Sequence, residues 1–145
     1  MISYRQAEEN DFDLTLKIKS RSIRQYIEQI WGWDDHAQLA YHKKQFNPKH
    51  LKIILYHNTE VGLIDMEETI DTFFLANILV DQDFQGQGIG KSVMKDIIEQ
   101  ATQQNKKIEL QVFKINTRAK KLYEKLGFNI TGETDLHYKM RYDIR

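Results

Sequence analysis

Apolar positions along this chain follow two rhythms in turn, a period of two over short stretches and a spacing near four over longer ones. Residues 2–7 alternate as a first strand. From about Asp11 a long helix is predicted, with Phe12, Leu16, Ile23, Ile27 and Ile30 keeping roughly to one face and Gly32 ending it. Asp34 is placed to cap a second helix that runs through Phe46, and Pro48 stops it. Residues 51–57 and 61–66 read as a hairpin turning at Asn58-Thr59, and residues 73–80 as a third antiparallel partner. Ile89, Val93, Ile97 and Ala101 give the next helix an apolar stripe against the sheet. A strand over 108–113, a helix over 116–126 and strands over 128–132 and 137–142 complete an α/β pattern without repeats, low-complexity tracts or a linker.

Length narrows the organisation. The 145 residues suffice for one core and not for two, so a single domain over 1–145 is expected. No apolar run is long enough to span a membrane, and the opening Met-Ile-Ser-Tyr-Arg has no signal-peptide stretch, so the expected location is the cytoplasm. The absence of cysteine excludes disulfides, cysteine-ligated zinc and a cysteine nucleophile. Five histidines lack an HExxH or cysteine partner, and Ser20, Ser22 and Ser92 lie outside any Gly-x-Ser-x-Gly elbow, so neither a metal nor a serine nucleophile is expected.

Net charge is zero, which argues against a nucleic-acid binder, yet the charges are unevenly placed. Residues 57–84 hold seven acidic side chains and no Lys or Arg, whereas residues 85–125 hold nine basic against four acidic. The basic stretch suits a polyphosphate. The acidic one suits the approach of a cationic amine, or is simply a solvated face.

The chemistry concentrates at Gln85-Gly86-Gln87-Gly88-Ile89-Gly90-Lys91-Ser92, between the strand over 73–80 and the helix from Ile89. Glycines let the backbone adopt positive φ and approach a ligand, while the free N–H groups of a first helical turn point at an anion. A P-loop would need glycine where Gln85 stands, and a dinucleotide fingerprint would need its third glycine at Lys91. What remains is Gln-x-x-Gly-x-Gly, formed by Gln85, Gly88 and Gly90. It resembles the acyl-CoA loop of the GNAT superfamily of N-acetyltransferases.

A second segment agrees. Asn116 to Phe128, with its Tyr-Glu-Lys-x-Gly-Phe run at Tyr123, Gly127 and Phe128, resembles the other GNAT signature, in the right order and one helix and one strand downstream. The resemblance implies a GNAT fold, a mixed and mostly antiparallel sheet of about seven strands with about four helices, splayed between strands four and five. It implies acetyl-CoA as co-substrate, no metal, and direct attack by a primary amine. The pantetheine arm would lie along Ile78, Leu79 and Val80, the pyrophosphate on Gln85, Gly86, Gln87, Gly88, Ile89, Gly90, Lys91 and Ser92, with Asn116 bonding the arm. Tyr123 would be the acid that protonates the leaving thiolate; read by itself, it also fits as an aromatic beside Leu122 and Leu126.

The base is a point of departure, because many relatives use a Glu on the fourth strand, where this chain has Phe73, Phe74, Leu75, Ala76 and Asn77. Glu67 is the first candidate, with Glu68, Asp65 and His137 behind it, and Asn77 is suited to positioning a water. Acceptor recognition is expected from Tyr26, Glu28, Trp31 and Trp33, an aromatic wall beside carboxylates that suits a cation, or else a hydrophobic joint between helices. Phe73, Phe74 or the last strand are candidate homodimer contacts. The rival reading is a non-catalytic acyl-CoA-binding module of the same fold.

Overall fold

The computed structural model describes residues 1–144. Short alternating strands pair first with their nearest predecessors. β1 (Ile2–Gln6) lies antiparallel to β2 (Leu51–Tyr56), and β2 antiparallel to β3 (Thr59–Glu68). β4 (Thr72–Val80) pairs in parallel with β5 (Lys107–Phe113), β5 is antiparallel to β7 (His137–Tyr142), and β7 to β6 (Asn129–Glu133). The seven strands run in the order β1-β2-β3-β4-β5-β7-β6. Four α-helices accompany them: α1 (Phe12–Trp31), α2 (Asp35–Gln45), α3 (Ile89–Gln104) and α4 (Thr117–Leu126). The fold class expected from the sequence is the one observed.

The chain forms two compact units, Met1–Asp65 with Ile78–Gly90, and Met66–Asn77 with Lys91 onward. In the first, Ala7, Ile18, Leu51, Ile53, Leu63 and Leu79 form a buried cluster, against which Leu14, Ile23, Phe46 and Leu55 pack. In the second, the buried residues include Phe73, Leu75, Val93, Ile97, Ile108, Leu110, Phe128 and Met140.

Three details differ from the sequence pattern, each for a physical reason. The hairpin turns at His57-Asn58, both with positive φ (50° and 66°), and Thr59 already pairs with Tyr56. Two left-handed residues match the twist of the flanking strands. The buried side of α1 carries Thr15, Ile18, Ser22 and Ile27, and of the expected face only Ile27 is fully buried. The hydroxyls can enter because each donates one turn back, Thr15 Oγ1 to the Asp11 carbonyl at 2.9 Å and Ser22 Oγ to the Ile18 carbonyl at 2.7 Å. Phe73, proposed as a surface contact, is completely buried, whereas Phe74 is partly exposed.

Helix ends follow the expected chemistry. Asp34 accepts from the N–H groups of His36 and Ala37 to cap α2, and Gly32 closes α1 at φ 76°. Pro48 opens a short 3₁₀ turn rather than merely ending α2. α3 and α4 finish in the same way. In α3, Asn105 takes φ 55° and the Lys106 N–H reaches the Ala101 carbonyl; in α4, Gly127 takes φ 105° and the Phe128 N–H reaches the Tyr123 carbonyl.

Candidate functional site

In the first unit, the segment from Leu79 to Gly90 is held by its own main chain. Gly62 on β3 passes so close to β4 that a Cβ there would sit inside van der Waals distance of the Leu79 carbonyl oxygen. The Asp81 N–H bonds the Val61 carbonyl at 2.7 Å, and Gln85 Nε2 donates back to the Val80 carbonyl at 2.9 Å. The motif glutamine therefore folds the loop onto the end of the strand it follows. Gly86 and Gly88 adopt φ 80° and 81°, and a Cβ added at Gly88 or Gly90 would meet nothing within 4 Å. The result is an exposed backbone turn feeding the N-terminus of α3 at Ile89, with Gln85 and Gln87 exposed. The first N–H groups of a helix have no partner within it and the helix dipole adds to them, so a turn of this kind at a helix start fits a pyrophosphate.

The β4–β5 ladder joins Thr72–Leu75 to Lys107–Leu110, and β4 runs on for five residues past Leu75. Ile78 and Val80 are half-buried and Leu79 is buried in the cluster above.

Sequence reasoning missed the residue that ties this segment to α1. Arg21 donates from Nε to Asp81 at 2.7 Å and pairs through Nη2 with Asp83 at 2.9 Å, while Asp81 also accepts from the Asp83 N–H. Burial pushes the Asp81 carboxyl up, but the Arg21 hydrogen bond and the Asp83 N–H outweigh it and hold it below the usual carboxylate range. The signal in the sequence is an Asp-x-Asp directly after a strand, which by itself shows only as charge. His42 was missed too. It is buried, with Nε2 near Thr15 Oγ1 (3.0 Å) and the Phe12 carbonyl (3.1 Å) and Nδ1 near Lys19 Nζ at 3.2 Å, and burial lowers both Lys19 and His42 from their ordinary pKa.

Two of the acceptor candidates of the same unit, Glu28 and Trp33, are already partnered. The Arg24 guanidinium lies 5.1 Å from the Trp33 ring and 2.7 Å from Glu28, and Trp33 Nε1 donates to Asp35. The cation on the aromatic wall is thus the chain's own. Trp31 is 62 % exposed, and Tyr26 is half-buried. The acidic stretch is likewise engaged: Glu60 by Arg5, Glu68 by Lys106, Asp71 by Thr69 and Thr72, and Asp81 and Asp83 by Arg21. These five carboxylates are held in ion pairs and hydrogen bonds within the protein.

In the second unit, the Tyr-Glu-Lys-x-Gly-Phe run has a clear local meaning. The Gly127 N–H bonds the Glu124 carbonyl and the Phe128 N–H the Tyr123 carbonyl, a Schellman closure whose usual apolar contact is made by the Tyr123 and Phe128 rings, 5.7 Å apart. Phe128 in turn meets Tyr142 at 5.4 Å, and Tyr142 leaves little room for a Cβ at Gly127. Asn116 caps α4 by accepting from the Ala119 N–H. Tyr123 is thereby fixed at both ends of its helix. Desolvation pushes its phenol up to about 12.

His137, at the start of β7, stacks on Phe113 at 4.5 Å, and its N–H and carbonyl are both bonded to Thr134. Burial lowers its pKa below the ordinary 6.5, leaving a neutral imidazole at pH 7. Glu67 is exposed near the end of β3, and Asn77 is half-buried on β4. Lys91 and Ser92 are exposed in the first turn of α3. Among the described residues no group of three His, Cys, Asp or Glu is arranged to hold a metal ion, and no helix is long and apolar enough to cross a membrane.

The chain is similar to proteins of a known family. A family model described as the Acetyltransferase (GNAT) family matches residues 20–128. Spermine/spermidine N(1)-acetyltransferase of Bacillus subtilis (strain 168) is 34% identical over 70 residues, 47% of this chain and 43% of that protein. The [Ribosomal protein bS18]-alanine N-acetyltransferase of Escherichia coli (strain K12) is 31% identical over 83 residues, 56% of each chain. The chain therefore spans about half the length of the curated relatives it matches. Among solved structures, the PaiA N-acetyltransferase from Thermoplasma acidophilum, in complex with coenzyme A, superposes with a TM-score of 0.81 over 99% of both chains at 12% identity, a likeness of fold.

Proposed function

The chain belongs to the GNAT acetyltransferase family, and from that premise we propose that it moves an acetyl group from acetyl-CoA to a primary amine by direct attack. The observation that carries this reading is the Gln85–Gly90 turn, with two glycines at positive φ and open space above it at the start of α3. We read the whole length as one acetyltransferase domain. The turn and the first residues of α3, Lys91 and Ser92 included, hold the pyrophosphate. The Ile78–Val80 main chain and the Asn116 amide hold the pantetheine arm. Acetyl-CoA supplies the acetyl group as an activated thioester.

Tyr123 then donates to the sulfur as negative charge develops there. With its phenol raised to about 12, Tyr123 stays protonated from neutral into the alkaline range and is available there as a donor. For the base, His137 stands ahead of Glu67, because its neutral, desolvated imidazole, stacked on Phe113 and with Nδ1 3.4 Å from Thr134 Oγ1, is ready to accept a proton at pH 7. On the acceptor side stand Tyr26, Trp31 and Asn77. Glu28 and Trp33 serve only if Arg24 releases them.

Thiol release from acetyl-CoA, followed from pH 5 to 9 with spermidine, an alanine-initiated peptide and free lysine as acceptors, tests this. Amine-dependent release is expected, with kcat/KM falling as the pH drops through the lowered His137 value, below 6.5, and His137→Gln abolishing that limb. Acetyl-CoA binding without release for any amine would favour the acyl-CoA-binding module instead. An unchanged limb in His137→Gln would return the base role to Glu67.

A further inference from the structure

We infer that Arg21 is a positioning residue for the cofactor loop, fixing from α1 the direction in which the chain leaves β4 and enters the glycine turn. This rests on the reading of that turn as the acetyl-CoA site. Four bonds converge on Asp81: its N–H on the Val61 carbonyl, its carbonyl on the Phe84 N–H, and its carboxylate on the Asp83 N–H and on Arg21 Nε. Three of them are local or lie within the sheet side of the fold. Of the four bonds only that from Arg21 brings a helix to the loop, and Lys17, one turn earlier on α1, adds its charge without a bond.

The two ion pairs differ in weight. Asp83 is mostly exposed, so its pair is screened by solvent, whereas Asp81 is nearly buried. Removing Arg21 would leave the Asp81 carboxylate inside with a single N–H donor, an arrangement that a buried charge tolerates poorly. The cheapest relief is for residues 81–84 to turn the carboxylate toward water. That motion swings Gln85 off the Val80 carbonyl and spoils the glycine turn that follows. Arg21 holds two carboxylates with one planar fork, a geometry that lysine reproduces only as a point charge. Because α1 also carries Tyr26 and Glu28 between one and two turns beyond Arg21, the same clamp links the proposed acceptor helix to the cofactor loop.

The test compares wild type, Arg21→Ala and Arg21→Lys by amide hydrogen exchange of the free proteins, and then by acetyl-CoA titration and steady-state kinetics. In Arg21→Ala, the amides of residues 83–88 are expected to exchange faster while those of α3 and β5 keep their rates. KM for acetyl-CoA and its Kd should rise about tenfold, the loss of roughly one charged hydrogen bond, with kcat retained. Arg21→Lys should recover part of the affinity. A purely structural role would instead lower the melting temperature and kcat together and leave no loop-specific exchange. Unchanged loop exchange in Arg21→Ala overturns the inference whatever the cofactor. Faster exchange with an unchanged Kd, in a protein whose wild type binds acetyl-CoA, overturns it too and leaves the functional reading intact. A wild type that does not bind acetyl-CoA overturns both.

Discussion

Tyr123→Phe is expected to lower kcat about 10²-fold, leaving KM for acetyl-CoA and the melting temperature nearly as they are. The lower end of the range usual for general acids follows from the phenol's own acidity. At about 12 it stands some 3.5 units above a thiol near 8.5, so complete proton transfer to a thiolate is uphill by about 5 kcal/mol. In the proposed mechanism Tyr123 would then act chiefly as a hydrogen-bond donor to sulfur as charge develops, a contribution of about 2.7 kcal/mol at 10²-fold. Because the ring contact with Phe128 and the Schellman closure survive the loss of a hydroxyl, the fold has little to lose. The pH profile carries a sign as well. A group that donates must be protonated, so wild-type activity loses nothing to Tyr123 deprotonation until about pH 11, and any alkaline limb below that persists in the variant. Full turnover by Tyr123→Phe would remove the residue from the chemistry. A large fall in melting temperature would make its role one of packing.

Gly62→Ala should have the largest effect on the fold. The added methyl would run into the Leu79 carbonyl oxygen and also press on Ile54 Cδ1 at 3.2 Å. The side chain at Ile54 can yield; a backbone carbonyl in a sheet cannot without moving its strand. Overpacking of this kind costs about 1–3 kcal/mol and occasionally more, and with β4 unable to shift alone we expect about 3 kcal/mol, read from the urea midpoint at unchanged slope. Leu79 lies between Ile78 and Val80 in the proposed pantetheine lining, so the same substitution should weaken acetyl-CoA binding in whatever fraction stays folded. A stable Gly62→Ala protein with wild-type affinity would mean that β4 is free to move there, and the rigid scaffold for the loop would have to be abandoned.

Much of this was legible in the residues. Caps, breakers and periodicity located every strand and helix within a few residues, because Asp34, Gly32, Asn116 and Gly127 act locally and their chemistry needs no tertiary context. The resemblance implied a mixed sheet splayed between strands four and five but not which pair runs parallel, and nothing in the alternation of β4 or β5 distinguishes a parallel neighbour from an antiparallel one. What hid from the sequence was pairing at a distance. Arg21 and Asp81 are sixty residues apart, Lys19 and His42 meet through burial, and Arg24 covers Trp33 and Glu28. None of these pairings shows in the residue types, because each partner is supplied by the fold. The buried hydroxyls of α1 misled the periodicity for a related reason, since Thr15 and Ser22 satisfy themselves on the helix backbone and so count as small apolar residues inside.

The central claim is that the glycine turn before α3 takes the pyrophosphate of acetyl-CoA. Calorimetric titration of the purified protein with acetyl-CoA, with Gly88→Asp as control and ATP as competitor, tests it most directly. Binding in the micromolar range is expected for wild type, unaffected by ATP and lost in Gly88→Asp, where a carboxylate would stand at φ 81° over the anion's seat. Displacement by ATP, or equal affinity in Gly88→Asp, would contradict it.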